Sequence, residues 1–164
     1  MEIKTKFFGE IDIEEDQIIL FPYGIYGFED FNRFVLLHDK DYEEENETVF
    51  RFLQCADDEQ LCFTVIDPEY IERGYNPALP ENYIKKLGIF SREDLVYLVI
   101  ALISENLEES TANMQGPIVI NTKNMMGAQV ILDGSEPENA KYKIKHKIFG
   151  HCEERGPPYA DNKP

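Results

Sequence analysis

Asn113-Met114-Gln115-Gly116-Pro117-Ile118-Val119-Ile120-Asn121, closing at Gly127-Ala128-Gln129-Val130-Ile131-Leu132, reads as a strand, a turn and a second strand. Pro117 has no N–H to give to a ladder, so it belongs at a strand start or an edge. Ile118-Val119-Ile120 is a short, apolar, β-branched run. Asn121 to Gly127 carries turn chemistry, with Gly127 free to take positive φ. Gln129 to Leu132 is the return strand, and the composition favours a buried β-hairpin.

The rest of the chain follows the same rhythm. Residues 2–8 and 10–13, parted by Gly9, suggest a strand pair or a bulged strand. Ile18–Phe21 and Phe34–His38 are short strands. Phe50–Gln54 alternates apolar and polar, turns at Asp57-Asp58-Glu59-Gln60, and returns as Leu61–Ile66 until Asp67-Pro68 breaks it. Pro80–Gly88 carries helix signals at both ends: proline and an acid first, lysines last, glycine after. Ser91 could cap one further turn. Leu95–Ile103 reads as a central strand buried on both faces, with a buried helix as the alternative. Tyr142–Ile148 is the last strand. Many short strands with frequent turns indicate a mainly β chain. We expect a single antiparallel β-barrel-like or sandwich domain over residues 1–149, with one or two short helical insertions and a mobile tail over 150–164.

Composition narrows the class. The 164 residues make one domain with room for a core. No stretch reaches the ~18 apolar residues of a membrane helix, and Met1-Glu2-Ile3-Lys4 begins no signal-like apolar run. Three cysteines do not make a disulfide scaffold, and a cytoplasmic location is expected. Thirty-two acids against sixteen bases leave a charge of −16. Such a chain is repelled by nucleic acid and by anionic membranes. Either the charge serves solubility alone, or the natural partners are basic. The acids concentrate in a loop holding Asp39, Asp41, Glu43, Glu44, Glu45 and Glu47 against Lys40. Lys141, Lys143, Lys145 and Lys147 form the one basic stretch. On a strand they would share a face, as a lysine-guarded edge or as a phosphate contact.

A catalytic constellation is hard to find. Cys55 and Cys62 flank the Asp58-Glu59 turn symmetrically, so in a hairpin they would face each other, as two thiols or as a cross-strand disulfide. Their spacing lacks the short separation of zinc knuckles, and His151-Cys152 sits in the tail, so no metal is expected. His38 and His146 accompany no nucleophile motif. The glycines of Tyr23–Phe28 lack the Lys and Ser/Thr of a phosphate loop, which leaves a tight aromatic loop.

Four segments together resemble the flagellar assembly factor FliW family. They are Phe21-Pro22-Tyr23-Gly24-Ile25-Tyr26-Gly27-Phe28, Leu53-Gln54-Cys55, Phe63-Thr64-Val65-Ile66-Asp67-Pro68, and the Asn-x-x-x-Pro-Ile-x-Ile-Asn run from Asn113 with its Gln-Val-Ile-Leu return. They occur in family order and span residues 1 to about 148, leaving the tail from Gly150 outside. Met114, Gly116 and Cys55 depart from the more usual Leu, Ala and Ser.

The resemblance implies a β-barrel-like fold and a non-enzymatic regulatory binding protein. It implies two partners: flagellin, and the RNA-binding translational regulator CsrA, whose sequestration relieves repression of flagellin translation. No cofactor, direct nucleic-acid contact or membrane contact is expected. The expected partner surface is acidic: Glu43, Glu44, Glu45 and Glu47 in the loop, and Asp57, Asp58 and Glu59 in the turn. Asn113, Gln115, Asn121 and Gln129 are the rival set, and hydrogen bonding that fixes the hairpin is their alternative role. A small enzyme or ligand-binding protein with a pocket near Tyr23–Phe28 is the competing function.

Overall fold

The structure, a computed structural model, describes residues 1–38, 49–89 and 91–149. Glu43, Glu44, Glu45 and Glu47 of the acidic loop, and the tail 150–164 with His151 and Cys152, lie outside the described residues.

Seven strands close a barrel. β3 (Ile18–Leu20), β4 (Arg33–Leu37), β5 (Phe50–Cys55), β6 (Cys62–Ile66) and β7 (Leu95–Leu102) pair in succession, each antiparallel to the next. β7 then pairs with β9 (Ile118–Asn121), and β9 with β10 (Met126–Gln129). The ring shuts where β10 meets β3, the one parallel seam, through the single pair Met126–Leu20. There Leu20 N donates to the Met125 carbonyl at 2.9 Å. Outside the ring, β8 (Thr111–Ala112) extends β7, and β11 (His146–Lys147) pairs with β8. β1 (Glu2–Thr5) and β2 (Gly9–Asp12) form a separate hairpin that turns at residues 6–8; Gly9, at φ +68°, opens β2 opposite Thr5 and does not part a strand over 2–8 from one over 10–13.

Alternation along these strands sorts the side chains into distinct cores. Phe34, Leu53, Cys55, Val65, Leu98, Ile118 and Ile120 point into the barrel and meet Phe21 and Ile25, which plug it. Phe21 and Phe34 pack edge to face with ring centroids 5.2 Å apart. Val99, Ala101, Val119 and Ala128 point outward and are covered by Ile71, Tyr75, Leu79, Leu87, Tyr142 and Ile148. These belong to the long connections after β6, which includes the α-helix α1 (Glu81–Lys86), and after β10, with Ile148 following β11. The β1–β2 hairpin lays Ile3 and Ile13 over Val35 on another part of the outer wall. The apolar run Leu95–Ile103 is a strand, as expected, but it ends at Leu102 and is fully buried only at Leu98, Val99 and Ala101; Leu95, Val96, Tyr97 and Ile100 are half-buried, and Leu102 and Ile103 are exposed. Ser91 caps the one-turn 3-10 helix Arg92–Asp94 by accepting from Glu93 N at 3.2 Å.

Several expectations need correction. Gly127 lies inside β10, opposite Ile120, and it is Met125 that takes positive φ, at 54°. Gly127 is required for another reason: a Cβ there would lie 2.8 Å from Phe21 Cζ. The return strand therefore begins at Met126, and Val130 and Leu132 only continue single hydrogen bonds to Pro117 and Gln115. Cys55 and Cys62 do not face each other. The register pairs Gln54 with Cys62, one residue off the symmetric expectation. One step of register moves a side chain to the other face, so Cys55 joins the barrel interior while Cys62 lies on the outer wall, and both are free thiols. The last strand is only His146–Lys147, because a turn at Ile144-Lys145 interrupts the run. Lys141, Lys143, Lys145 and Lys147 are all exposed but do not line one strand face.

Candidate functional site

The loop from Phe21 to Asn32 is held at its neck by a reciprocal pair. Phe21 N donates to the Asn32 carbonyl at 2.7 Å, and Asn32 Nδ2 donates to the Phe21 carbonyl at 2.8 Å. Inside it the chain turns twice. Gly24 has φ +67°, and a Cβ there would stand 2.5 Å from Glu29 Cα, so only glycine fits. Phe28 N then donates to the Ile25 carbonyl at 2.6 Å. Ile25 is driven into the barrel, while Tyr23, Tyr26 and Phe28 stand outward at 49, 57 and 39 % exposure. Phe28 packs edge to face on Phe63 with centroids 5.3 Å apart, so Tyr23 and Tyr26 are the rings of this loop most open to a partner.

The loop is anchored to the β9–β10 hairpin and to the bulge that precedes it. Gln129 Oε1 accepts from Tyr26 N at 3.1 Å, and its Nε2 donates to the Gly116 carbonyl at 3.2 Å. Gly116 belongs to a bulge between β8 and β9, wrapped around Asn113. Asn113 Oδ1 accepts from Gln115 N at 3.2 Å and from Gly116 N at 2.9 Å. Asn121 does similar work at the far end. Its Nδ2 donates to the Leu87 carbonyl at 2.8 Å, fastening α1 to the barrel, and its Oδ1 accepts from Lys123 N at 3.0 Å. Asn113, Asn121 and Gln129 are thus spent on backbone hydrogen bonds. Gln115 is half-buried in the same bulge.

Between loop and barrel lies a cavity of about 150 Å³ lined by Tyr23, Tyr26, Tyr83, Glu29 and Gln129. Burial pushes the Tyr83 hydroxyl up to about 12, and interaction with the Tyr26 hydroxyl adds to the rise. Lys86 Nζ sits 4.5 Å from the Tyr23 ring centroid and 5.7 Å from that of Tyr83. A larger cavity of about 330 Å³ lies on the outer wall, lined by Arg51, Asp67, Glu69, Tyr75 and Tyr97. Its carboxylates are partly occupied, since Asp67 caps Glu69 N at 3.0 Å and Glu69 accepts from Gly74 N at 2.9 Å. No group of three or more metal-ligating side chains occurs among the described residues. Among those residues, too, no helix is long and apolar enough to cross a membrane.

The expected acidic turn is built around Gln54, a residue whose role its sequence context does not announce. Gln54, 0 % exposed, donates from Nε2 to the carbonyls of Cys55, Asp58, Glu59 and Leu61 at 3.0–3.2 Å. Its Oε1 accepts from Lys6 N at 2.9 Å, tying the β1–β2 hairpin to the turn. Asp57 is paired with Arg33, whose Nε lies 3.1 Å from Oδ2. That hydrogen bond holds the Asp57 carboxyl below the usual carboxylate range. Asp57 and Glu59 are exposed and Asp58 is half-buried. The sequence marks Gln54 only as part of the Leu53-Gln54-Cys55 segment, and Tyr83, Glu29 and Lys86 carry no sequence signal for a shared cavity.

Comparison with known proteins bears on this arrangement. The model of the FliW protein family matches residues 2–148. The flagellar assembly factor FliW of Lachnoclostridium phytofermentans is 34% identical over 155 residues, covering 94% of this chain and 95% of that one. That of Caldanaerobacter subterraneus subsp. tengcongensis is 39% identical over 149 residues, covering 91% and 93%. A crystal structure of the flagellar assembly factor FliW superposes with a TM-score of 0.79 at 36% identity, covering 91% of this chain and 97% of that one.

Proposed function

From the premise that the chain belongs to the FliW family of flagellar assembly factors, we propose that it is a non-enzymatic partner-switching protein of the cytoplasm. It binds flagellin, and when flagellin leaves, it sequesters the RNA-binding translational regulator CsrA and so relieves repression of flagellin translation. The family match over residues 2–148 carries this reading. The charge of −16 supports it, because an acidic surface steers toward a basic RNA-binding one and away from RNA itself.

The acidic loop (Glu43, Glu44, Glu45, Glu47) and the turn Asp57-Asp58-Glu59 are the proposed regulator surface. The engagement of Asn113, Asn121 and Gln129 with backbone favours a structural role for those three of the rival set. Co-elution and calorimetry of the full chain with its host's flagellin and CsrA-type regulator test the proposal. Complexes with each partner, and displacement of the regulator by flagellin, are expected. Absence of both complexes overturns it.

A further inference from the structure

The cavity at the barrel mouth falls below the usual size of a small-molecule site. Small-molecule sites occupy about 300–1,000 Å³, and this one holds about 150 Å³. Its lining is equally restrictive. Tyr23, Tyr26 and Tyr83 supply rings, and Glu29 supplies an exposed carboxylate whose Oε2 accepts from Gly27 N at 3.2 Å. Gln129 closes the floor with both ends of its amide already bonded to backbone. Rings with a carboxylate beside them attract a cation, by the ring quadrupole and by charge. The chain shows this on its own rings, since Lys86 already rests over Tyr23 and Tyr83.

We infer that this aromatic cage receives an arginine side chain from the surface of a protein partner, its guanidinium stacking on Tyr26 and pairing with Glu29. The size of the cavity limits the guest to one side chain. The net charge of −16 favours a basic surface behind it. Arginine fits better than lysine because its planar fork stacks and binds a carboxylate in two-point fashion. The cage is preorganised, because the glycine fit at Gly24 and the Gln129 tie leave little to be ordered on binding. The inference rests on the proposed function only for the source of the arginine; the chemistry of the cage stands on its own geometry.

The test separates the two. The isotopically labelled full chain is titrated with an N-acetylated, C-amidated Gly-Arg-Gly peptide and with its citrulline counterpart, which keeps the shape and removes the charge. Amide shifts centred on Gly24, Tyr26, Gly27 and Gln129 are expected for arginine and not for citrulline. Glu29→Gln, which retains an oxygen for Gly27 N, and Tyr26→Leu should each weaken the arginine peptide by about two- to fivefold. Lys86→Met should tighten it by removing a neighbouring cation. Equal shifts with both peptides, or shifts mapping elsewhere, overturn the inference. Binding of flagellin and regulator is measured in parallel on the same variants. Loss of all partner binding by the unsubstituted chain refutes the proposed function and leaves the peptide titration to decide the cage.

Discussion

Gln129 and Tyr26, 103 residues apart in the chain, are joined by a hydrogen bond of 3.1 Å from the Tyr26 N–H to Gln129 Oε1. Through Gln129 Nε2 the link continues to the Gly116 carbonyl at 3.2 Å. One buried amide therefore fixes the aromatic loop, the bulge and β10 relative to one another. Gln129→Leu leaves a donor and an acceptor unsatisfied and should cost about 2 kcal/mol in urea denaturation. Gln129→Glu keeps the acceptor for Tyr26 but turns a carboxylate toward the Gly116 carbonyl. Its carboxyl would be held above the ordinary value, so its deficit should shrink as pH falls toward about 4. A deficit that grows on acidification would show that the carboxylate finds another partner.

Gln54 plays the corresponding part at the acidic turn, and its loss should be costlier than loss of any acid there. Gln54→Leu strands Lys6 N and the turn carbonyls. The expected loss is about 2–3 kcal/mol with a detached β1–β2 hairpin, visible as faster amide exchange at residues 2–13. Asp58→Asn keeps an oxygen for Gln60 N and should stay within about 0.5 kcal/mol. Equal destabilisation by both would place the turn's stability in its charges instead.

These two amides show what the sequence made legible. β3 to β7 and the helix at Glu81–Lys86 were readable because β-branched runs, alternation and capping residues are local signals, whereas the return strand came three residues early, the last strand kept only His146–Lys147, and the two-residue β8 carried no pattern of its own. Register was not readable, because it depends on turn length: one residue decided that Gln54, and not Cys55, sits opposite Cys62. The requirement for Gly127 was visible but its cause was not, since the Phe21 ring it accommodates comes from 106 positions earlier in the chain, across the parallel seam. The cavity was half legible. Tyr23, Tyr26 and Glu29 lie close together in sequence, but Tyr83 and Lys86 arrive from α1, brought in by the Asn121 bond to Leu87.

Tyr83 gives the cage a pH signature. Its hydroxyl is pushed up to about 12 by burial and by Tyr26, against an ordinary value of about 10. Between these values the unfolded chain loses the proton that the folded one keeps, so the unfolded state binds fewer protons and stability falls as pH rises. Tyr83→Phe should remove part of the alkaline loss of stability seen between about pH 10 and 12, followed by melting temperature and by tyrosinate absorbance. An identical alkaline profile in the variant would mean that other groups account for the loss.

Cys55 and Cys62 should behave as protected, unpaired thiols. Burial pushes the Cys62 thiol up to about 11 and raises that of Cys55. Nucleophilic thiolate is therefore scarce at neutral pH, and Cys55 is 0 % exposed inside the barrel. Because the register sets the two on opposite faces of the β5–β6 hairpin, a disulfide between them would require that pairing to slip or unravel. Alkylation of the native protein at about pH 8 should leave both unmodified, and both should react once the chain is unfolded. Mild oxidation should yield no peptide linking Cys55 to Cys62 by mass spectrometry. Such a link, formed under native conditions, would mean that the hairpin slips by one residue in solution, carrying Gln54 away from the turn it organises.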